Sequence, residues 1–143
     1  MLSNTCKTAI KAVIYLATRD QAAGKASIKE IADFIGASEH TVGKFLQTLV
    51  KQGIINSSKG PAGGFYLAEA QREQPVIDIV TAIDGMQFFR ECGLGLNQCS
   101  ALHPCPIHFE YMQARNLIEK LFREKQVKDL CEPVSLGLAH LIS

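Results

Sequence analysis

No apolar run in this chain approaches the length of a membrane span, and there is no low-complexity tract and no internal repeat. The first absence excludes a spanning helix, and the second argues against disorder. There is no Cys-x-x-Cys motif, no Gly-rich dinucleotide fingerprint and no pairing of residues that reads as a catalytic dyad. A thiol redox enzyme is therefore the less favoured class. Lys7 and Lys11 interrupt the partly apolar start, which argues against a signal peptide and predicts a soluble, cytoplasmic protein. A full disulfide framework is excluded too, because five cysteines is an odd number. What is there is ordinary globular composition over 143 residues, enough for one domain or a small domain with an appendage.

Three of the five cysteines, Cys92, Cys99 and Cys105, fall in one stretch, ECGLGLNQCSALHPCPIHF, from Glu91 to Phe109. His108 stands three positions after the last of them. A Gly-Leu-Gly-Leu run and two prolines keep the stretch irregular, so the thiols can turn toward one point. Soft thiolates gathered on one loop suit an iron–sulfur cluster or zinc. The same cysteines could also serve a thiol switch. Cys131 lies apart and reads as a buried structural thiol, while His40, His103 and His140 are scattered.

Net charge is +1, but residues 1–67 hold eight Lys/Arg against four Asp/Glu, and the rest hold seven against ten. The basic half is the candidate for a polyanionic partner. It opens with a helix over Asn4–Arg19, where Ile10, Val13, Ile14 and Ala17 recur at helical spacing. Ser27 and Glu30 predict a capping box at the head of a second helix, which Gly36 ends. Ser38 caps a third helix, with Val42, Phe45, Leu46 and Leu49 inward and Glu39, His40, Thr41, Lys44 and Gln47 outward; Gly53 ends it. Two short capped helices joined by a tight turn make either a helix-turn-helix or a generic helical hairpin. A β-hairpin breaks the tie. Ile54 and Ile55 start one strand, Phe65 to Leu67 form the other, and SSKGPAGG turns between them. A basic, Gly-rich hairpin after a recognition helix is a wing, with Lys59 and Gly60 placed to meet a phosphate backbone.

Residues 69–75 read as a polar connector, closing a DNA-binding unit over 1–75. The remainder, 76–143, holds a short helix over Val76–Asp84, the cysteine loop and a long helix. Pro106 suits the first position of that helix, which should reach about Gln126. Cys105 and His108 would then sit at its N-terminal edge and face one point. Ile107, Tyr111, Ala114, Ile118 and Leu121 alternate at four and three residues, a seam suited to packing another helix, either that of a second copy in a homodimer or the chain's own first helix, or both. The fold class is mainly α with a small β-hairpin: a winged helix-turn-helix plus a long C-terminal dimerisation helix.

SSKGPAGGFYL, the helix VIDIVTAIDG after it, and the three-cysteine loop before a long helix resemble the Rrf-type winged-helix transcription regulators. This family includes the iron–sulfur cluster regulator, the nitric-oxide-sensing repressor and the cysteine-metabolism regulator of bacteria. The resemblance covers essentially the whole chain. It implies a DNA-binding dimer whose long helices cross, with a 2Fe–2S or 4Fe–4S cluster held by Cys92, Cys99 and Cys105. His108 matches the histidine ligand of the iron–sulfur cluster regulator. Other members draw an acidic ligand from the partner's first helix, where this chain has Lys7 and Thr8; Cys6 beside them departs from the pattern and is a rival. The first cysteine interval is one residue longer than in the iron–sulfur cluster regulator. Ser38, His40, Thr41 and Gly43 match the turn that faces the major groove. Lys59 replaces the family's usual wing arginine.

Overall fold

A computed structural model describes residues 1–141. Its elements, in order, are α1 (Asn4–Thr18), α2 (Ile28–Ile35), α3 (Glu39–Lys51), β1 (Asn56–Ser58), β2 (Gly64–Tyr66), α4 (Val76–Asp84), α5 (His108–Glu124) and α6 (Val127–Ser135). Short 3-10 turns occupy Gln21–Ala23, Glu69–Glu73 and Gln87–Phe89. Among the described residues, no helix is long and apolar enough to cross a membrane.

α1 is the central post. Ala9, Ala12, Val13, Leu16 and Ala17 are buried along it, and it packs against α2, α3, α4 and α6. Small alanines let those neighbours come close. Ser3 caps α1 by accepting from the Cys6 amide at 3.0 Å, and its own amide donates to Asp84 at the end of α4. Ile31, Val42, Leu46, Leu49, Ile55, Ile79 and Val127 close the main core around it.

α2 and α3 meet their expected caps. Ser27 accepts from the Glu30 amide, and Gly36 adopts the left-handed conformation at φ 70° that lets a helix stop. The Glu30 carboxylate does not reach back to complete a capping box; it pairs with Arg19 at 3.3 Å. Ile54 and Ile55 differ from expectation as well. They form no strand but are 3% and 1% exposed, plugging the core just after α3. The strand begins one residue later, and Asn56, Ser57 and Ser58 pair antiparallel with Tyr66, Phe65 and Gly64. Two further bonds, between Ala26 and Phe65 in both directions at 3.0 and 2.8 Å, pin the hairpin to the segment that leads into α2.

The connector is structured. The Gln71 side chain bonds Asn56 and the Gly53 carbonyl, and Gln74 bonds the Ile54 carbonyl at 2.8 Å. The core does not divide at residue 75. Ile79 of α4, and Val127 and Cys131 of α6, share the cluster that α1–α3 build. The Val76 amide bonds the Lys125 carbonyl, and the Val127 amide bonds the Gln74 carbonyl. α5 ends at Glu124, short of Gln126, because Lys125 turns extended and Gln126 bridges to Pro75. A second cluster, Cys6, Ile77, Val80, Phe88 and Phe89, lies beneath α5 and receives Ile118 and Phe122.

Candidate metal centre and nucleic-acid interface

The residues expected to face DNA lie at the start of α3. Ser38 Oγ accepts from the Thr41 amide at 3.2 Å and donates to Thr41 Oγ1 at 2.9 Å. Both residues are exposed, as are His40 and Lys44. Gly43 turns away toward α2, where an added Cβ would lie 3.6 Å from Ile28. It therefore supplies close helix packing rather than part of the outward face. Lys59 and Gly60 are exposed at the wing tip, and Gly60 takes φ 99°, a conformation that favours glycine.

The cysteine loop runs from the second cluster to the head of α5. Phe88 and Phe89 are buried and fix where it leaves the core. The Gly95 amide bonds the Cys92 carbonyl, the Cys99 amide bonds the Leu96 carbonyl, and Ser100 and His103 close a turn through both their backbones. The sulfurs of Cys92, Cys99 and Cys105 all come within 4.8 Å of one another. Cys92 and Cys105 are 3.6 Å apart. His108 adjoins the set through Cys99, its Nδ1 lying 3.1 Å from that sulfur. α5 begins later than expected. Ile107 is its N-cap, so Pro106 precedes the helix, and the His108 amide closes a turn onto the Cys105 carbonyl. His108 is still in the first turn, where it was placed.

Backbone amides prepare the loop for negative sulfur. The amides of Leu96 and Leu94 aimed at Cys92 bring its thiol down to about 7. Cys105 is held above its ordinary value, chiefly by burial, against the opposing Ile107 amide. The Cys105 amide donates to Cys99 at 3.4 Å. Three convergent soft donors with an imidazole beside them fit an iron–sulfur cluster or zinc.

Cys6 is not near solvent. It is 0% exposed inside the second cluster, and burial, with Asp84 next, pushes its thiol up to about 12. A ligand offered to a partner's loop from there would have to leave its own core. Cys131 is buried and donates to the Val127 carbonyl. His103 is exposed.

The expected seam is split by the helix. Tyr111 and Ile118 are half-buried against their own chain, Tyr111 beside Gly93 and Ile118 on the second cluster. Ile107, Ala114 and Leu121 face outward, joined by Leu117 at 69% exposure. No residue of α5 is buried. Sequence reasoning also passed over Arg115, which lines the cysteine pocket with Arg90, Gly93 and Tyr111. Its spacing was the available signal, since positions 108, 111 and 115 share one helical face.

A family model described as Rrf2, iron-dependent transcriptional regulator, matches residues 2–133. A chain of Aquifex aeolicus (strain VF5), provisionally named an HTH-type transcriptional regulator, is 30% identical over 133 residues, covering 91% of this chain and 90% of that one. Among solved structures, CymR, the global cysteine regulator of B. subtilis, superposes with a TM-score of 0.74 at 21% identity, over 92% of this chain and 96% of its own. IscR of T. potens superposes with a TM-score of 0.73 at 21% identity, over 98% of this chain and 92% of its own. At such identity the two structures speak for the fold.

Proposed function

This chain belongs to the Rrf2 family of transcriptional regulators, and we propose that it binds double-stranded DNA as a homodimer whose affinity is set by an iron–sulfur cluster. The observation that carries the reading is the convergence of three cysteine sulfurs within 4.8 Å at the head of α5. Cys92, Cys99 and Cys105 would hold the cluster, with His108 as the fourth ligand. When bound, the cluster supplies one-electron exchange and sensitivity to oxidants, iron supply or nitric oxide. The protein's own part is to hold the loop on α5, so that a change in the loop reaches the helix that joins the protomers.

DNA contact is assigned to Ser38, His40, Thr41 and Lys44 on the recognition helix and to Lys59 and Gly60 on the wing. His40 and Thr41 carry the polar groups that can distinguish base edges, whereas Lys59 is a point charge for phosphate. Two recognition helices in a dimer must match half-sites about one DNA turn, ~34 Å, apart. The dimer is supported by α5 itself. A 17-residue helix with no buried residue and an outward row of Ile107, Ala114, Leu117 and Leu121 has an unfilled apolar edge.

The test is anaerobic reconstitution with iron and sulfide, followed by a visible spectrum, metal and sulfide counts per chain, and DNA binding with and without the cluster. Charge-transfer absorbance and a shift in affinity between the two forms are expected. A colourless chain holding zinc, or affinity indifferent to the cluster, overturns the reading. Replacing His108 with Ala should change the spectrum and potential, and replacing Cys6 with Ala should change neither.

A further inference from the structure

Arg115 is a half-buried cation with no carboxylate partner among the described residues. None of the ion pairs among the described residues includes it. Its Nε is buried without a hydrogen-bond partner. Its Nη1 donates to the carbonyl of Glu91, the residue before Cys92, and its guanidinium stands 5.7 Å from the centre of the Tyr111 ring. The same side chain lines the pocket of Cys92, Cys99, Cys105 and His108. A half-buried guanidinium whose buried Nε–H is unused is favoured by an anion nearby. The anions this pocket can offer are sulfur-borne.

The helix explains why these features coincide. His108, Tyr111 and Arg115 follow at three and four residues on one face of α5. His108 meets Cys99 at 3.1 Å. Tyr111 fills the space above Gly93, where an added Cβ would lie 2.7 Å from the ring. Arg115 grips the backbone at Glu91. Three successive residues of one face thus hold the loop at its middle, near its start and at its start.

We propose that Arg115 is a positioning residue of the cysteine site: it ties the Glu91–Cys92 end of the loop to α5 and is the counter-cation of the negative charge that the thiolates and their cluster carry. This rests on the cluster reading above. Two ferric ions, two sulfides and three thiolates sum to one negative charge, and reduction adds another. A fixed cation therefore favours the reduced form more than the oxidised form. Removing the charge should lower the potential, and a lysine should restore it in part without the planar fork.

The experiment uses the full chain as wild type, Arg115→Gln and Arg115→Lys. Glutamine and lysine are both good helix formers, so neither substitution disturbs the backbone of α5. The metal-free, reduced proteins are compared first by hydrogen exchange. Amides of Cys92 to Leu96 should exchange at least tenfold faster in Arg115→Gln than in wild type, with amides of α1–α3 unchanged. The reconstituted proteins are then titrated with dithionite against dyes of known potential. Arg115→Gln should shift the reduced-to-oxidised ratio at fixed poise about tenfold toward oxidised, which is about 59 mV for one electron. Arg115→Lys should recover most of that shift.

Loop exchange unchanged in Arg115→Gln overturns the tie. A wild-type potential in Arg115→Gln, or an equal fall in Arg115→Lys, overturns the charge role. Failure of the wild-type chain itself to take up iron and sulfide overturns the cluster reading and the charge role with it, while the exchange comparison still decides the tie. Global unfolding of Arg115→Gln, seen as loss of protection in α1–α3 as well, would make Arg115 a general stability residue and overturn the proposal.

Discussion

Replacing Leu117 and Leu121 together with alanine separates the outward edge of α5 from its inward face. Leu117 is 69% exposed and Leu121 49% exposed in the single chain. Full burial of a leucine is worth about 1.5–3 kcal/mol. Scaled by those exposures, doubled for two protomers and reduced for the alanine methyls that remain, the pair contributes roughly 4 kcal/mol to a dimer that covers them. The double variant should dissociate about a thousandfold more readily. Sedimentation equilibrium over a concentration series measures this directly, and the melting transition of the monomer should hardly move. Ile118→Ala gives the mirror result. Ile118 rests on Phe88, Phe89 and their neighbours within its own chain, so its loss should cost about 1–2 kcal/mol of folding stability and leave the dimer constant near wild type. A double variant that dimerises as tightly as wild type, or an Ile118→Ala chain that falls apart into stable monomers, would return the seam to Ile118 and refute the division of faces.

If Lys59 contacts phosphate as proposed, Lys59→Ala should weaken binding to operator and unrelated duplexes alike and reduce the salt slope by about 1; affinity unchanged at low and high salt would remove the wing from the interface. Gly64→Ala should loosen the wing by roughly 1–3 kcal/mol and reduce DNA affinity, since Gly64 sits at φ 145° and a Cβ there would lie 2.6 Å from the Ala26 carbonyl oxygen. Normal DNA affinity together with a normal melting temperature would count against it. The Cys6 thiol, at about 12 in the folded chain against an ordinary 9.0, keeps its proton where the unfolded chain loses it. Its contribution is therefore full below pH 9 and declines as pH rises toward 12, by at most about 1.4 kcal/mol per pH unit. The stability gap between wild type and Cys6→Ala in urea should accordingly narrow from pH 8 to pH 10.5, and a constant gap would refute the linkage.

Where one residue's chemistry settles a local question, it could be read in advance. Ser27, Ser38 and Gly36 cap and stop helices because a hydroxyl or a missing Cβ is what the helix end requires, and each does so here. The cysteine cluster was legible for the same reason. Misreadings fall where two local solutions compete and packing chooses. Ile54 and Ile55 are β-prone, yet the core behind α3 has room for both, so burial wins over strand pairing. Glu30 has the spacing of a capping box, but Arg19 lies nearer to hand and takes the carboxylate. Pro106 fits the first turn of a helix, while the Cys105 carbonyl engages the His108 amide and delays the start. The seam on α5 illustrates the limit of heptad counting. A run alternating at four and three residues covers more than one face, and only the position of the second cluster shows that Ile118 is inside and Leu121 outside.

α4 has two buried faces, and they belong to different clusters. Ile79 enters the core shared with α1, α3 and α6, whereas Ile77 and Val80 enter the one that supports α5. α4 packs against α1, α3 and α5, and its last residue but for the cap, Asp84, holds the Ser3 amide at the head of α1. Close-packed interiors resist compression, so a helix wedged between two cores passes a displacement on rather than absorbing it. A shift of α5 would therefore be carried through α4, which packs against both α5 and α3. The wing is braced separately, through Gln71 and Gln74 onto the end of α3 and through Phe65 onto Ala26. α3 and the hairpin are thus one body within the chain, so under the proposed dimer the variable left for a signal to act on is how two such bodies are spaced by α5.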